Sequence, residues 1–147
     1  MRQLLVLVAL AVAAGCGSPP CTHCPNVAGT YRLAVPPMSV DESSCKGYLT
    51  NGFTFDLPIG QLGSKLVVAD LGGTSLHGTL HENLYVGFSS FPGVTSSGDP
   101  TTNTISGRFS GTEGAWHFKG DLGVEIQTVS PTGCGLTAPL EGDELPK

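Results

Sequence analysis

Residues 65–80, KLVVADLGGTSLHGTL, place two short β-prone runs on either side of Gly72-Gly73. Glycine accepts the positive φ that both central positions of a type I′ turn require, so the pattern predicts a tight hairpin of residues 65–71 and 74–80. In the second arm Leu76 and Leu80 point one way, while His77, Thr79 and His81 point the other. Working back along the chain, Asn51-Gly52 separates Tyr48-Leu49-Thr50 from the alternating run 53–57, which predicts a second hairpin. Before it, Tyr31, Leu33 and Val35 share one face of a first strand over 27–35, and a loop with Pro36, Pro37 and polar residues 39–44 follows.

Forward of the central hairpin, residues 84–91 read as another strand, and 93–103 as a polar, flexible stretch. The runs 104–110, 115–119 and 122–128 continue the series, with Trp116 and Phe118 on one face and Leu122, Val124 and Ile126 on one face. Residues 136–140 add a closing edge. Eight or nine short strands joined by tight turns make an antiparallel meander, whose edges stay exposed unless the sheet closes or doubles over. The expected fold is therefore all-β, a small antiparallel up-and-down β-barrel of about eight strands, with a β-sandwich as the alternative. The phrase Gly-x-Leu or Gly-x-Phe recurs at Gly78, Gly87-Phe88 and Gly107, as hairpin-level repetition short of a true repeat.

Composition agrees with many turns and few helices, since the 147 residues include 21 Gly and 11 Pro while only 13% are charged. The formal charge is −5. No basic footprint for nucleic acid exists in such a chain. The size suits one domain with one core.

The first sixteen residues, MRQLLVLVALAVAAGC, carry a basic start at Arg2, an apolar run too short to span a bilayer, and small residues before Cys16. This segment resembles the signal peptide and lipobox of bacterial lipoproteins, with Ala13 where the family usually has Leu. In that family diacylglycerol is attached to the cysteine sulfur, the peptide is cut before it, and the new amino group is acylated. The resemblance implies a signal peptide at 1–15, lipidated Cys16 with a Pro-rich tether over 16–26, and a barrel domain over 27–147. Two acyl chains hold a protein to a membrane stably where one does not. Gly17 stands where an Asp would mark inner-membrane retention in diderm bacteria, so the resemblance implies an outer-membrane lipoprotein.

Five cysteines are present, Cys16, Cys21, Cys24, Cys45 and Cys134. Modifying Cys16 leaves an even set for disulfides in an exported, oxidising setting. Pairing Cys45 with Cys134 would tie the ends of a closed barrel and stabilise by about 4–5 kcal/mol in the chain-entropy picture. Cys21 and Cys24 would then form a local bridge, although three connectivities are open. A redox reading of Cys21-Thr22-His23-Cys24 would need a helix N-terminus, but Pro25 and a strand follow. A zinc site using Cys21, His23 and Cys24 must compete with oxidation, and Pro25 stands where haem attachment needs His.

Elsewhere the chemistry is sparse. His77 and His81 on a strand lie about 13 Å apart, too far to share an ion. His117, between Trp116 and Phe118, faces water; Asp99 in its Ser/Gly/Thr loop is a weak calcium candidate. The acidic pairs Asp41-Glu42 and Asp143-Glu144 read as solvated loop and tail charge. Gly29-Thr30-Tyr31 resembles a relaxed lipocalin Gly-x-Trp, and Gln61-Leu62-Gly63-Ser64 is similar to the early hairpin of avidin. Each likeness spans under twenty residues, and this chain has a single Trp where avidin has several. No catalytic residue set, metal site or cofactor is expected. The expected protein is a membrane-anchored, non-enzymatic barrel filled by Tyr31, Phe53, Phe55, Phe88, Phe109, Trp116 and Phe118, engaging a protein partner. The alternatives are carriage of a small apolar ligand and, behind it, an envelope enzyme.

Overall fold

A computed structural model describes residues 17–38, 51–71, 74–95, 98–127 and 134–147. Its strands are β1 (Gly29–Val35), β2 (Phe53–Leu62), β3 (Lys65–Leu71), β4 (Thr74–Thr79), β5 (Tyr85–Gly87), β6 (Phe91–Val94), β7 (Pro100–Thr112), β8 (Ala115–Ile126) and β9 (Cys134–Glu144). The hairpin expected around Gly72-Gly73 is present, with Leu71 opposite Thr74 and Val68 opposite Leu76. Strands β1 to β4 and β6 to β9 each run antiparallel to the next, and β1 also pairs with β9, Tyr31 facing Glu144. Strands β5 and β6 pair end to end along β7 and act as one stave. An antiparallel bridge from Gly78 to Phe88 joins β4 to that stave, so the meander closes as a barrel of eight staves. The sandwich alternative is excluded, because the first and last strands belong to one continuous sheet.

Several boundaries differ from expectation. The polar stretch after Gly93 is paired rather than open, Phe91–Val94 lying against Asn103–Pro100 in a hairpin. The runs 115–119 and 122–128 are one strand, β8, continuous through Gly120. At Gly120 an added Cβ would stand 2.0 Å from the carbonyl oxygen of Ser106, and at Gly107 one would stand 2.7 Å from the Phe118 ring. Glycine is required there because the long strands β7 and β8 coil tightly into the wall and bring backbone against backbone. Gly78 plays the same part in β4, taking Val86 and Phe88 into the space of its missing side chain. The recurring Gly-x-Leu/Phe phrase at Gly78 and Gly107 thus marks inward glycines that receive a bulky neighbour; Gly87 faces out instead. The strand start at Phe53 pairs with Val35 of β1. The Tyr48–Thr50 arm of the hairpin expected at Asn51-Gly52 falls outside the described residues.

Alternation sends one face of every stave inward. Tyr31, Leu33, Leu57, Leu66, Leu76, Ile105, Phe109, Phe118 and Leu140 are essentially inaccessible to solvent. The Tyr31 ring lies 5.4 Å from that of Phe109, and Phe109 lies 5.0 Å from Phe118. Tyr31 belongs to β1 and Phe109 to β7, which are separated in the sheet by β9 and β8. Contact between them therefore crosses the lumen, and the barrel is packed with side chains at this level. Phe53 does not fill the lumen as expected; it stands at the lower rim, 42% exposed, beside the half-buried Phe55. The lower end is where β1, β3, β6 and β8 finish; the upper end carries the turns 63–64 and 113–114 and the C-terminal residues.

Candidate functional site: the strapped end of the barrel

The Pro-rich segment expected as a tether runs across the upper mouth of the barrel. It begins beside the connection between β4 and β5. There Pro20 bridges His81, the Glu82 amide donates to the Pro19 carbonyl at 3.0 Å, and the Cys21 amide donates to Leu80 at 3.0 Å. His81 also bonds the Ser18 carbonyl through Nδ1. Cys21 and Cys24 are joined by a disulfide, with their Cα atoms 5.3 Å apart. The chain then reaches the opposite side, where β1, β2 and β8 receive it. Gln61 Nε2 donates to the Pro25 carbonyl at 2.9 Å and Gln61 Oε1 accepts from the Val27 amide at 2.7 Å. Trp116 Nε1 donates to the Asn26 carbonyl at 2.8 Å, and the Tyr31 hydroxyl donates to the Val27 carbonyl at 2.7 Å.

Local chemistry explains this course. Pro19, Pro20 and Pro25 have no amide hydrogen, so the strap presents carbonyl acceptors at those positions, and side-chain and loop donors meet them. Cys21 and Val27 are buried beneath it, which closes the upper mouth with apolar surface. Burial pushes the Tyr31 phenol well above the usual tyrosine range, and the nearby Glu144 carboxylate adds to the effect. Glu144 leans inward over Gly29, where a Cβ would stand 2.7 Å from its Oε1, and it accepts the Trp116 amide at 3.3 Å.

Outside the barrel the side chains form exposed rows. Asp56, Arg32, Asp143, His117 and Ser110 face one another in register across five staves. Arg32 grips Asp56 with two bonds of 2.9 and 3.0 Å, which holds the Asp56 carboxyl below its usual range, and His117 Nδ1 lies 2.8 Å from Asp143. Such exposed ladders add little stability and bring solubility and register. A half-open depression of about 420 Å³ lies on the wall of β7, β8 and β9. It is lined by Ser90, Thr102, Thr104, Glu125 and Thr137 together with Gly123, Val124, Gly135 and Leu136.

Of the residues singled out from the sequence, Cys16 and Cys45 lie outside those described. Cys134 is buried at the start of β9 and is disulfide-bonded. Its partner lies outside the described residues. His77 is exposed on β4, His81 is engaged by the strap, and Asp99 takes hydrogen bonds with Thr95 inside its own turn. Among the described residues no three His, Cys, Asp or Glu side chains converge as a metal site requires. Nor is any described helix long and apolar enough to cross a membrane. Asp143 and Glu144 are corrected from tail charge to strand residues, because β9 extends to Glu144 and pairs with both β1 and β8. Gln61 and Glu144 were legible in principle: each continues an inward alternation, after Leu57 and Ile59 or after Leu140 and Gly142. A polar residue in an inward register at a barrel end needs a partner there.

No known protein family, curated protein or solved structure matches the chain.

Proposed function

We propose that this chain is a lipid-anchored lipoprotein of the cell envelope whose packed, non-catalytic barrel serves as a structural or protein-interaction module. The single observation that carries the choice of a filled module over a carrier is the contact between Tyr31 and Phe109 at 5.4 Å across the lumen. Carriage of an apolar ligand needs a void of several hundred Å³ at about that depth, and the mutually tilted rings of Tyr31, Phe109 and Phe118 occupy the space. Partner contact is assigned to the outer wall, where the depression on β7–β9 offers hydroxyls and one carboxylate beside Gly123 and Gly135.

Anchoring rests on the likeness of residues 1–16 to a lipoprotein signal, and the cysteine count supports it. With Cys21 bonded to Cys24 and Cys134 in a disulfide, an odd count of five cysteines is in keeping with one of them carrying lipid instead of a disulfide. Cys16 is the lipidated residue in this reading, Cys45 the partner of Cys134, and the outer membrane the destination, since no Asp follows Cys16.

Mass spectrometry of the protein from the membrane fraction tests the anchor: a mature N-terminus at Cys16 carrying acyl chains is expected, and an unmodified Cys16 would overturn it. Native mass spectrometry of the delipidated protein tests the filled module. A single bare species is expected, whereas a stoichiometric copurified apolar molecule would establish carriage instead.

A further inference from the structure

We infer that the strapped upper end of the barrel lies against the lipid surface and that the lower end points away from it. This rests on the proposed attachment of lipid at Cys16 and goes beyond it, because an anchor alone leaves a domain free to take any orientation.

The orientation follows from how little free chain remains. If residues 16–26 were an unattached tether, they would reach about 35 Å, enough for the barrel to tumble. The strap removes that freedom. Ser18 is already bonded to His81, Pro19 to Glu82 and Cys21 to Leu80, which sets Pro20 opposite His81 in an antiparallel bridge. Only Gly17 stands between Cys16 and the first of these contacts. Two residues span at most about 7 Å. Along β8, Trp116 and Ile126 mark the two ends of the wall; with the tilt of barrel strands, ten residues correspond to a height of about 25 Å. A tether of about 7 Å cannot pass down a wall of that height, so the lower end cannot be brought to the bilayer while the strap is in place.

The surface of the upper end fits this placement. Leu62, at the tip of the β2–β3 turn, is 85% exposed, an apolar side chain set on the same end as the strap. Lys65 and Lys147 share that end with Glu82, Glu113 and Glu144, a small acidic excess that does not oppose approach to a zwitterionic surface. The strap is stiffened by Pro19 and Pro20 and stapled by Cys21–Cys24, which keeps the departure point of the chain fixed relative to the barrel. The depression on β7–β9 then lies on the lateral wall, clear of the lipid and open to a partner.

The single Trp of the chain stands at the upper end and supplies the test. The acylated full-length product would be incorporated into phosphatidylcholine vesicles containing dansyl-labelled phosphatidylethanolamine, and energy transfer from Trp116 to the headgroup dye measured. The same measurement would be made on Trp116→Phe combined with Val94→Trp, which moves the donor to the lower end, where Val94 is 73% exposed, and leaves untouched the Ser18, Pro19 and Cys21 contacts that fix where the chain departs. Trp116→Phe combined with Phe53→Trp provides a second lower-end donor should the first fail to fold. Transfer several-fold more efficient from Trp116 than from either lower-end donor is expected. Equal or reversed efficiencies in protein that floats with the vesicles would overturn the orientation and leave the anchor standing. Protein that does not float, and whose Cys16 is unmodified by mass, would instead remove the anchor and this orientation with it.

Discussion

The indole N–H of Trp116 donates to the carbonyl oxygen of Asn26 at 2.8 Å, tying the start of β8 to a segment ninety residues earlier in the chain. That bond, with those of Gln61 and Tyr31, makes the N-terminal segment part of the barrel rather than an appendage to it.

Gln61 holds the strap with its whole amide, accepting from Val27 and donating to Pro25 and Gly63. Replacing it by Leu leaves a partly buried amide and carbonyls without partners. Gln61→Leu is expected to destabilise by about 1–3 kcal/mol in urea unfolding. Faster hydrogen exchange at the Val27 amide, against little change at mid-barrel amides, would locate the loss in the strap.

Reducing the Cys21–Cys24 disulfide should loosen the same region without unfolding the barrel. Closing so short a loop is worth about 2 kcal/mol in the chain-entropy picture, while the aromatic packing of Tyr31, Phe109 and Phe118 lies deeper and does not depend on it. For the Cys21→Ala, Cys24→Ala double variant, near-UV circular dichroism is expected to persist while proteolysis begins before Val27. Global unfolding of that variant would contradict the view of the strap as a peripheral closure.

Tyr31 gives the protein a pH dependence at the alkaline end. Its phenol is held neutral above the usual tyrosine range in the folded state, chiefly by burial. Below about pH 10, both states keep the proton and the group contributes no slope. Above that value the unfolded chain releases the proton first, so stability falls with rising pH, by up to about 1.4 kcal/mol per unit, until the folded state also ionises. In Tyr31→Phe this component of the decline should vanish, although the variant loses the bond to the Val27 carbonyl and starts lower. Denaturant midpoints measured from pH 8 to about 11 check it; parallel curves for the two proteins would count against the buried phenol.

Inward glycines should separate sharply from outward ones. Gly120→Ala sets a methyl group against the Ser106 carbonyl, and a cost of about 3 kcal/mol or more is expected. At Gly135 nothing lies within 4 Å of the added carbon, so Gly135→Ala should be neutral or stabilising by up to about 1 kcal/mol. Thermal unfolding of the two variants side by side tests whether the coiling of β7 on β8 is what demands glycine.

What the sequence determined by itself is what neighbouring residues decide among themselves. The alternation at 65–71 and 74–79, the glycine pair between them and the inward runs ending in Phe109, Trp116 and Phe118 all follow from a period of two and from turn sterics. Together with the need to hide sheet edges, they lead to an up-and-down barrel. Likewise the character of residues 1–16 is local, and it directs the proposed address of the protein. Only the tertiary structure decided which distant groups meet. The length of β8 through Gly120 depends on how close β7 approaches, and the filling of the lumen depends on Tyr31 reaching Phe109 across it. Glu144 became an inward carboxylate because β9 continues far enough to pair with Tyr31. The strap is the clearest case: three prolines and two cysteines specify a stiff, cross-linked segment, but its path over the barrel mouth is set by donors on Gln61, Trp116 and Tyr31. Those donors come together only when the first and last strands have joined.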